Sequence, residues 1–143
     1  MKFLRIAVVL FLSLGGILVL SPAASAAASS CASTHRYWNT TGTTYADVPA
    51  ITSGGSINCV LGVGNQGAGV KALQKSIKYC YNSSIVVDGD YGPATKSAVI
   101  AIQKSLGLTQ DGVYGPQTRS AMNWIYIQER TGTPFTCGTV YTG

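Results

Sequence analysis

The chain has 143 residues, 46% of them hydrophobic and 10% charged, with ten Lys and Arg against five Asp and Glu for a formal charge of +5. That length supports one compact domain and excludes two large ones. One histidine and five carboxylates are too few for a catalytic metal centre built from several His and acidic ligands around an open position.

The amino terminus starts MKFLR, then runs apolar from Ile6 to Leu20, broken only by Ser13, Gly15 and Gly16, and reaches small residues at Ala24 and Ala26. A basic start, a short apolar middle and an A-x-A end predict a secretory signal peptide over residues 1–26. The apolar run of about 15 residues is short against the roughly 20 that a membrane-spanning helix needs. A lipidated Cys31 would want a Leu-like residue three positions earlier, where Ala28 stands. Cleavage removes Lys2 and Arg5 and lowers the charge from +5 to +3. That weak excess fits nucleic acid, an anionic wall polymer or no polyanion about equally.

Residues 27–62 form a Ser/Thr/Gly-rich arm with no helical period. It reads as irregular or short-stranded, with turns at Thr41-Gly42 and Val48-Pro49. Four cysteines, Cys31, Cys59, Cys80 and Cys137, lie too far apart for close zinc-ligand pairs and predict two disulfides. Three pairings are possible. The preferred one is Cys59–Cys80, stapling a helix's approach to its end, with Cys31–Cys137 tying the two tails.

From Gly69, Val70, Leu73 and Ile77 fall at helical spacing with Lys71, Lys75 and Lys78 opposite, which predicts an amphipathic helix ending near Asn82. Then one phrase occurs twice at an offset of 23: DGDYGPATKSA from Asp88 and DGVYGPQTRSA from Asp111. Gly92-Pro93 and Gly115-Pro116 mark two helix starts, since proline fits a first turn whose N–H has no intrahelical partner. The helices are predicted over about 93–106, closed by Gly107, and about 116–129. Asp88 and Asp111 are expected to accept from backbone N–H groups two or three residues on, with Gly89 and Gly112 taking a conformation that a Cβ resists. Ile85, Val99, Ile102, Leu108, Met122 and Ile125 are the expected common core.

The helix containing VKALQ, followed by VDGDYGPATKSAVIAIQKSLGL and DGVYGPQTRSAM, resembles the type 1 peptidoglycan-binding domain over about residues 63–125. The resemblance implies a compact three-helix fold that holds secreted proteins on bacterial cell wall. The predicted architecture is therefore mainly α: a small three-helix bundle over residues 63–130, a disulfide-tethered N-terminal arm over 27–62, and a C-terminal tail over 131–143. Ala101 and Ile102 depart from the family pattern, which commonly has an aromatic there. The arm and the cysteines lie outside it.

No catalytic constellation stands out. His35 lies alone in the arm, the thiols are predicted to be paired, and each repeated aspartate precedes a turn glycine. The expectation is noncatalytic binding of peptidoglycan, glycan strand or stem peptide, by a secreted, wall-associated monomer. It uses no cofactor or metal, no nucleic acid, and no membrane after cleavage. The candidate ligand-contacting set is Asp88, Gly89, Tyr91 and Gly92 with Asp111, Gly112, Tyr114 and Gly115. For Tyr91 and Tyr114, packing into the small core competes with stacking on sugar. The alternative function is a secreted protein-interaction or structural module without wall binding.

Overall fold

The computed structural model describes residues 28–140; the predicted signal peptide lies outside the described residues. The elements in chain order are β1 (Ser33–Trp38), β2 (Thr44–Ala50), α1 (Ala68–Cys80), α2 (Pro93–Ser105), α3 (Pro116–Ala121), β3 (Trp124–Gln128) and β4 (Pro134–Gly138). The strands form one antiparallel sheet in the order β1-β2-β3-β4. This corrects the mainly α, three-helix-bundle expectation: three helices are present, but a four-stranded sheet built from the arm, the tail and the end of the repeat stands beside them.

The third predicted helix accounts for much of that difference. It stops at Ala121, and Met122 is already extended at φ −84° and ψ 158°. Beyond it, WIYIQ is a β-branched and aromatic run, of the kind that favours a pleated, half-buried surface. Its apolar spacing also suits a helix. The choice falls to strand because β2 and β4 offer backbone partners on both sides.

β1 and β2 pair over six positions, from Ser33 opposite Ala50 to Trp38 opposite Tyr45. β2 and β3 share a register of only two pairs, Thr44–Gln128 and Tyr45–Ile127. α1 packs against both strands. Ser76 Oγ on α1 accepts from Ile125 N of β3 at 3.2 Å, meeting a backbone group that the short β2 pairing leaves open. At the other end of α1, a Cβ on Gly69 would fall 2.1 Å from the Cys31 carbonyl oxygen. The helix can therefore approach the start of the arm only because that residue is glycine.

One core gathers Val70, Leu73 and Ile77 of α1, Val99 and Ile102 of α2, Ala46 and Val48 of β2, and Leu61, Tyr91, Tyr114, Met122 and Trp124. Of the expected core residues, Val99, Ile102 and Met122 are central and Ile85 packs at the margin. Ile125 is buried on β3, and Leu108 is half-buried beside the second repeat. α2 ends as the sequence predicts. Gly107 takes φ +68°, its N–H meets the Lys104 carbonyl, and Leu108 N–H meets the Gln103 carbonyl, the paired bonds of a Schellman cap.

Both disulfides form, but with different partners from those expected: Cys31–Cys59 and Cys80–Cys137, with Cα separations of 5.2 and 5.7 Å. The preferred pairing of Cys59–Cys80 and Cys31–Cys137 fails because the arm folds back on itself. Cys31 N–H bonds the Val60 carbonyl and Val60 N–H bonds the Ser29 carbonyl, which places Cys31 beside Cys59. Cys137 rides on β4, an exposed edge strand, and its bond to the end of α1 ties down an element with little burial of its own.

Candidate functional site

The repeated phrase builds two hydrogen-bonded clasps with the same wiring. In the first, Gln74 of α1 donates from Nε2 to Asp88 Oδ1 at 2.8 Å, to the Asp90 carbonyl at 3.0 Å and to Thr95 Oγ1 at 3.2 Å. Its Oε1 accepts from Gly89 N at 2.8 Å. In the second, Gln103 of α2 donates to Asp111 Oδ1 at 2.8 Å, to the Val113 carbonyl at 3.0 Å and to Thr118 Oγ1 at 3.3 Å, and accepts from Gly112 N at 2.9 Å. Each aspartate also accepts from the backbone N–H two residues on, at Asp90 and Val113, at 2.8 Å. These are the Asx-type turns that the sequence predicts.

Thus each helix holds the turn that launches the next one. Both glutamines are almost fully buried, so their amide groups must be satisfied inside, and each clasp does so completely. Sequence reasoning did not place these two residues in the site. Their signal is a polar residue directly after the buried Leu73 or Ile102, on the buried side of an amphipathic helix.

Gly89 and Gly112 sit at φ +86° and +68°. A Cβ on Gly89 would lie 2.9 Å from the Lys71 side chain, and one on Gly112 would lie 2.6 Å from that of Lys96. Gly92 and Gly115 are the extended residues before Pro93 and Pro116. The carboxylates of Asp88 and Asp111 stand at the surface. The carboxyl of Asp88 is held below its ordinary value, first by the Asp90 N–H and then by the Gln74 amide.

The two tyrosines resolve toward the core. Tyr91 is 1% exposed and Tyr114 0%, so neither ring presents a face on which a sugar could stack. Burial pushes both phenols well above their usual range. Tyr91 Oη donates to the Gly112 carbonyl at 2.9 Å, linking the first copy to the second. Tyr114 meets Trp124 edge-on with centroids 6.0 Å apart. A small module with few aliphatic residues gains its core from such rings, each of which hides about 150–250 Å².

The segment before α1 clamps both copies from outside. Leu61 and Tyr114 exchange two backbone hydrogen bonds at 2.9 Å. Tyr91 N–H bonds the Asn65 carbonyl and Gly67 N–H bonds the Gly89 carbonyl. A shallow cleft of about 200 Å³ beside the second clasp is lined by Val60, Leu108, Asp111, Val113, Gly115 and Gln117, among others. It brings Asp111 and Gly115 of the expected set to one surface.

Asp88 and Asp111, the repeated carboxylates, are each engaged by a glutamine amide and a backbone N–H. His35 Nδ1 lies 3.0 Å from the Gly54 carbonyl and 3.2 Å from that of Gly55, so it serves as a donor to the turn after β2. Among the described residues there is no cluster of three or more His, Cys, Asp or Glu that could hold a metal, and no free cysteine.

The chain is thus a doubled turn-and-helix unit, clasped twice by a buried glutamine and joined to a small disulfide-bonded sheet. Residues 66–122 match the family model described as "Putative peptidoglycan binding domain", and over those residues the chain carries a domain of that family. Among solved structures, the chain is similar to the Burkholderia AP3 phage endolysin at 39% identity, covering 43% of this chain and 23% of that one, with a TM-score of 0.41. It is similar to a peptidoglycan-binding protein from Clostridioides difficile, solved with glutamine hydroxamate, at 28% identity over 59% of this chain and 53% of that one, with a TM-score of 0.45. It is also similar to the SleB N-terminal domain at 35% identity over 43% of this chain and 85% of that one, with a TM-score of 0.42. The chain spans less than two thirds of the first two proteins. No curated protein matches it.

Proposed function

We propose that this protein is a secreted, noncatalytic binder of bacterial cell-wall peptidoglycan. The observation that carries the reading is the family match over residues 66–122, which contains both copies of the clasped turn. Two disulfides support an oxidising, extracellular compartment, as does the signal-like start of the sequence. The noncatalytic part is supported by the use of Asp88 and Asp111 as turn formers, which commits their carboxylates to backbone and glutamine donors.

Within the module, the surface rim of the clasps (Asp88, Asp111 and the backbone at Gly92 and Gly115) is the part of the expected contact set that ligand can reach. The test is cosedimentation of the oxidised protein with purified sacculi, paired with a turnover assay on fluorescent peptidoglycan. Protein in the pellet with no release of fluorescence is the expected result. Protein wholly in the supernatant overturns the binding reading, and fluorescence release overturns the noncatalytic one.

A further inference from the structure

The sheet carries a surface that the repeated module lacks, and resting on the wall-binding reading above, the geometry points to it as the principal contact for a carboxylate-bearing sugar polymer. Arg36, Trp38, Tyr45 and Asp47 share one face, because Trp38 pairs with Tyr45 and Arg36 with Asp47 across β1 and β2. Trp38 is 46% exposed, the only tryptophan among the described residues with an open face. It is propped by Tyr45, with ring centroids 5.3 Å apart. The Arg36 guanidinium lies 3.7 Å from the Tyr45 centroid and bonds both oxygens of Asp47, at 2.9 and 3.2 Å. The exposed indole therefore stands on a layered support, so little side-chain entropy is left to lose when a ligand lands on it.

From Asp47 the surface continues into a cleft of about 190 Å³ between the sheet and α1. Thr34 and Asp47 form one side, Lys71 and Lys75 the other, with Ile125 and Ile127 among the remaining lining. A second hollow, of about 440 Å³, shares Thr34 and Asp47 with it and extends past Arg36 toward Ser53. Arg36 and Asp47 neutralise one another in the only ion pair among the described residues. Lys71 acts at a distance on Asp88, but neither Lys71 nor Lys75 makes an ion pair. The trough thus offers an aromatic face at one end, an apolar lining with a hydrogen-bonding carboxylate and hydroxyl in the middle, and two exposed ammonium groups at the other end. A sugar ring stacks on the first, its hydroxyls meet the second, and an appended carboxylate meets the third. An uncharged glycan lacks the last contact.

Substituents of peptidoglycan itself supply that carboxylate, in keeping with the family match over residues 66–122. The experiment titrates the oxidised protein against three preparations of sacculi: untreated, stripped of attached polymers, and stripped with carboxylates then blocked as neutral amides. Trp38→Ala and the double change Lys71→Gln with Lys75→Gln are each expected to weaken binding to untreated sacculi about tenfold, the effect of losing one interface anchor. Trp38→Tyr, which keeps a ring, restores most of it. Lys104→Gln on α2 leaves binding unchanged. Retained thermal stability of each variant shows that folding is intact. Blocking carboxylates is expected to reproduce the lysine defect. Loss only on blocking is the expected result, and loss on stripping alone overturns peptidoglycan as the source of the carboxylate. Undiminished binding by both the Trp38→Ala and double-lysine variants overturns the trough and leaves wall binding standing. No binding by the unaltered protein overturns wall binding itself.

Discussion

The hydroxyl of Tyr91, in the first copy of the repeated phrase, donates to the carbonyl of Gly112 in the second at 2.9 Å. The corresponding hydroxyl, that of Tyr114, is buried with no hydrogen-bond partner among the described residues. Two copies of the same letters therefore reach different ends. The first tyrosine ties the copies together, and the second packs against Trp124.

This asymmetry predicts opposite responses to the same change. Tyr91→Phe leaves the Gly112 carbonyl without its donor and is expected to cost about 1–2 kcal/mol. Tyr114→Phe removes an unsatisfied polar atom and is expected to be neutral or mildly stabilising. Urea unfolding of the two variants checks the difference.

The clasps are expected to govern stability more than their size implies. Gln103→Ala strips the partners from Gly112 N and the Val113 carbonyl, and removes one donor to Asp111, all in one step. An expected loss of about 2–4 kcal/mol follows from several groups left unsatisfied at once. Gln74→Ala is expected to behave alike. A loss below 1 kcal/mol for both in chemical unfolding would contradict the clasp as the organiser of the turns.

Glycine is required at the turns for two separable reasons. Gly112→Ala combines positive φ with a Cβ 2.6 Å from Lys96 Cγ, for an expected cost of about 2–3 kcal/mol. Gly107→Ala meets nothing within 4 Å and carries only the backbone strain, about 1 kcal/mol. Thermal unfolding of the pair separates steric from conformational cost.

The pH response has a defined sign. Because Asp88 is a stronger acid when folded, its contribution is complete above the ordinary value of 3.8 and is lost as pH falls through the lower folded value. Stability should therefore decline on the acid side, and Asp88→Asn should flatten that decline. Denaturant midpoints measured from neutral pH down to about pH 2 check it.

Closed-loop entropy ranks the disulfides. The sequence separations are 28 for Cys31–Cys59 and 57 for Cys80–Cys137, giving about 3.5 and about 4 kcal/mol on the chain-entropy model. Full reduction is expected to lower the melting temperature sharply. Peptide mapping without reduction should recover these two pairs, and recovery of Cys59–Cys80 would contradict the fold of the arm.

Local chemistry determined much of this protein from its letters alone. Gly92-Pro93 and Gly115-Pro116 start helices, Gly107 ends one, and Asp88 and Asp111 make turns. Each effect starts from groups within a few residues, and the two turns are then reinforced by the glutamine clasps. The tertiary structure decided what depends on company. WIYIQ became β3 because β2 and β4 flank it, although its apolar spacing also fits a helix. Cys31 met Cys59 because the arm pairs with itself. Gln74 and Gln103 became clasps because a buried amide must find partners across the chain. Tyr91 and Tyr114 went inside because a small core needs their area, while Trp38 on the sheet keeps an exposed ring.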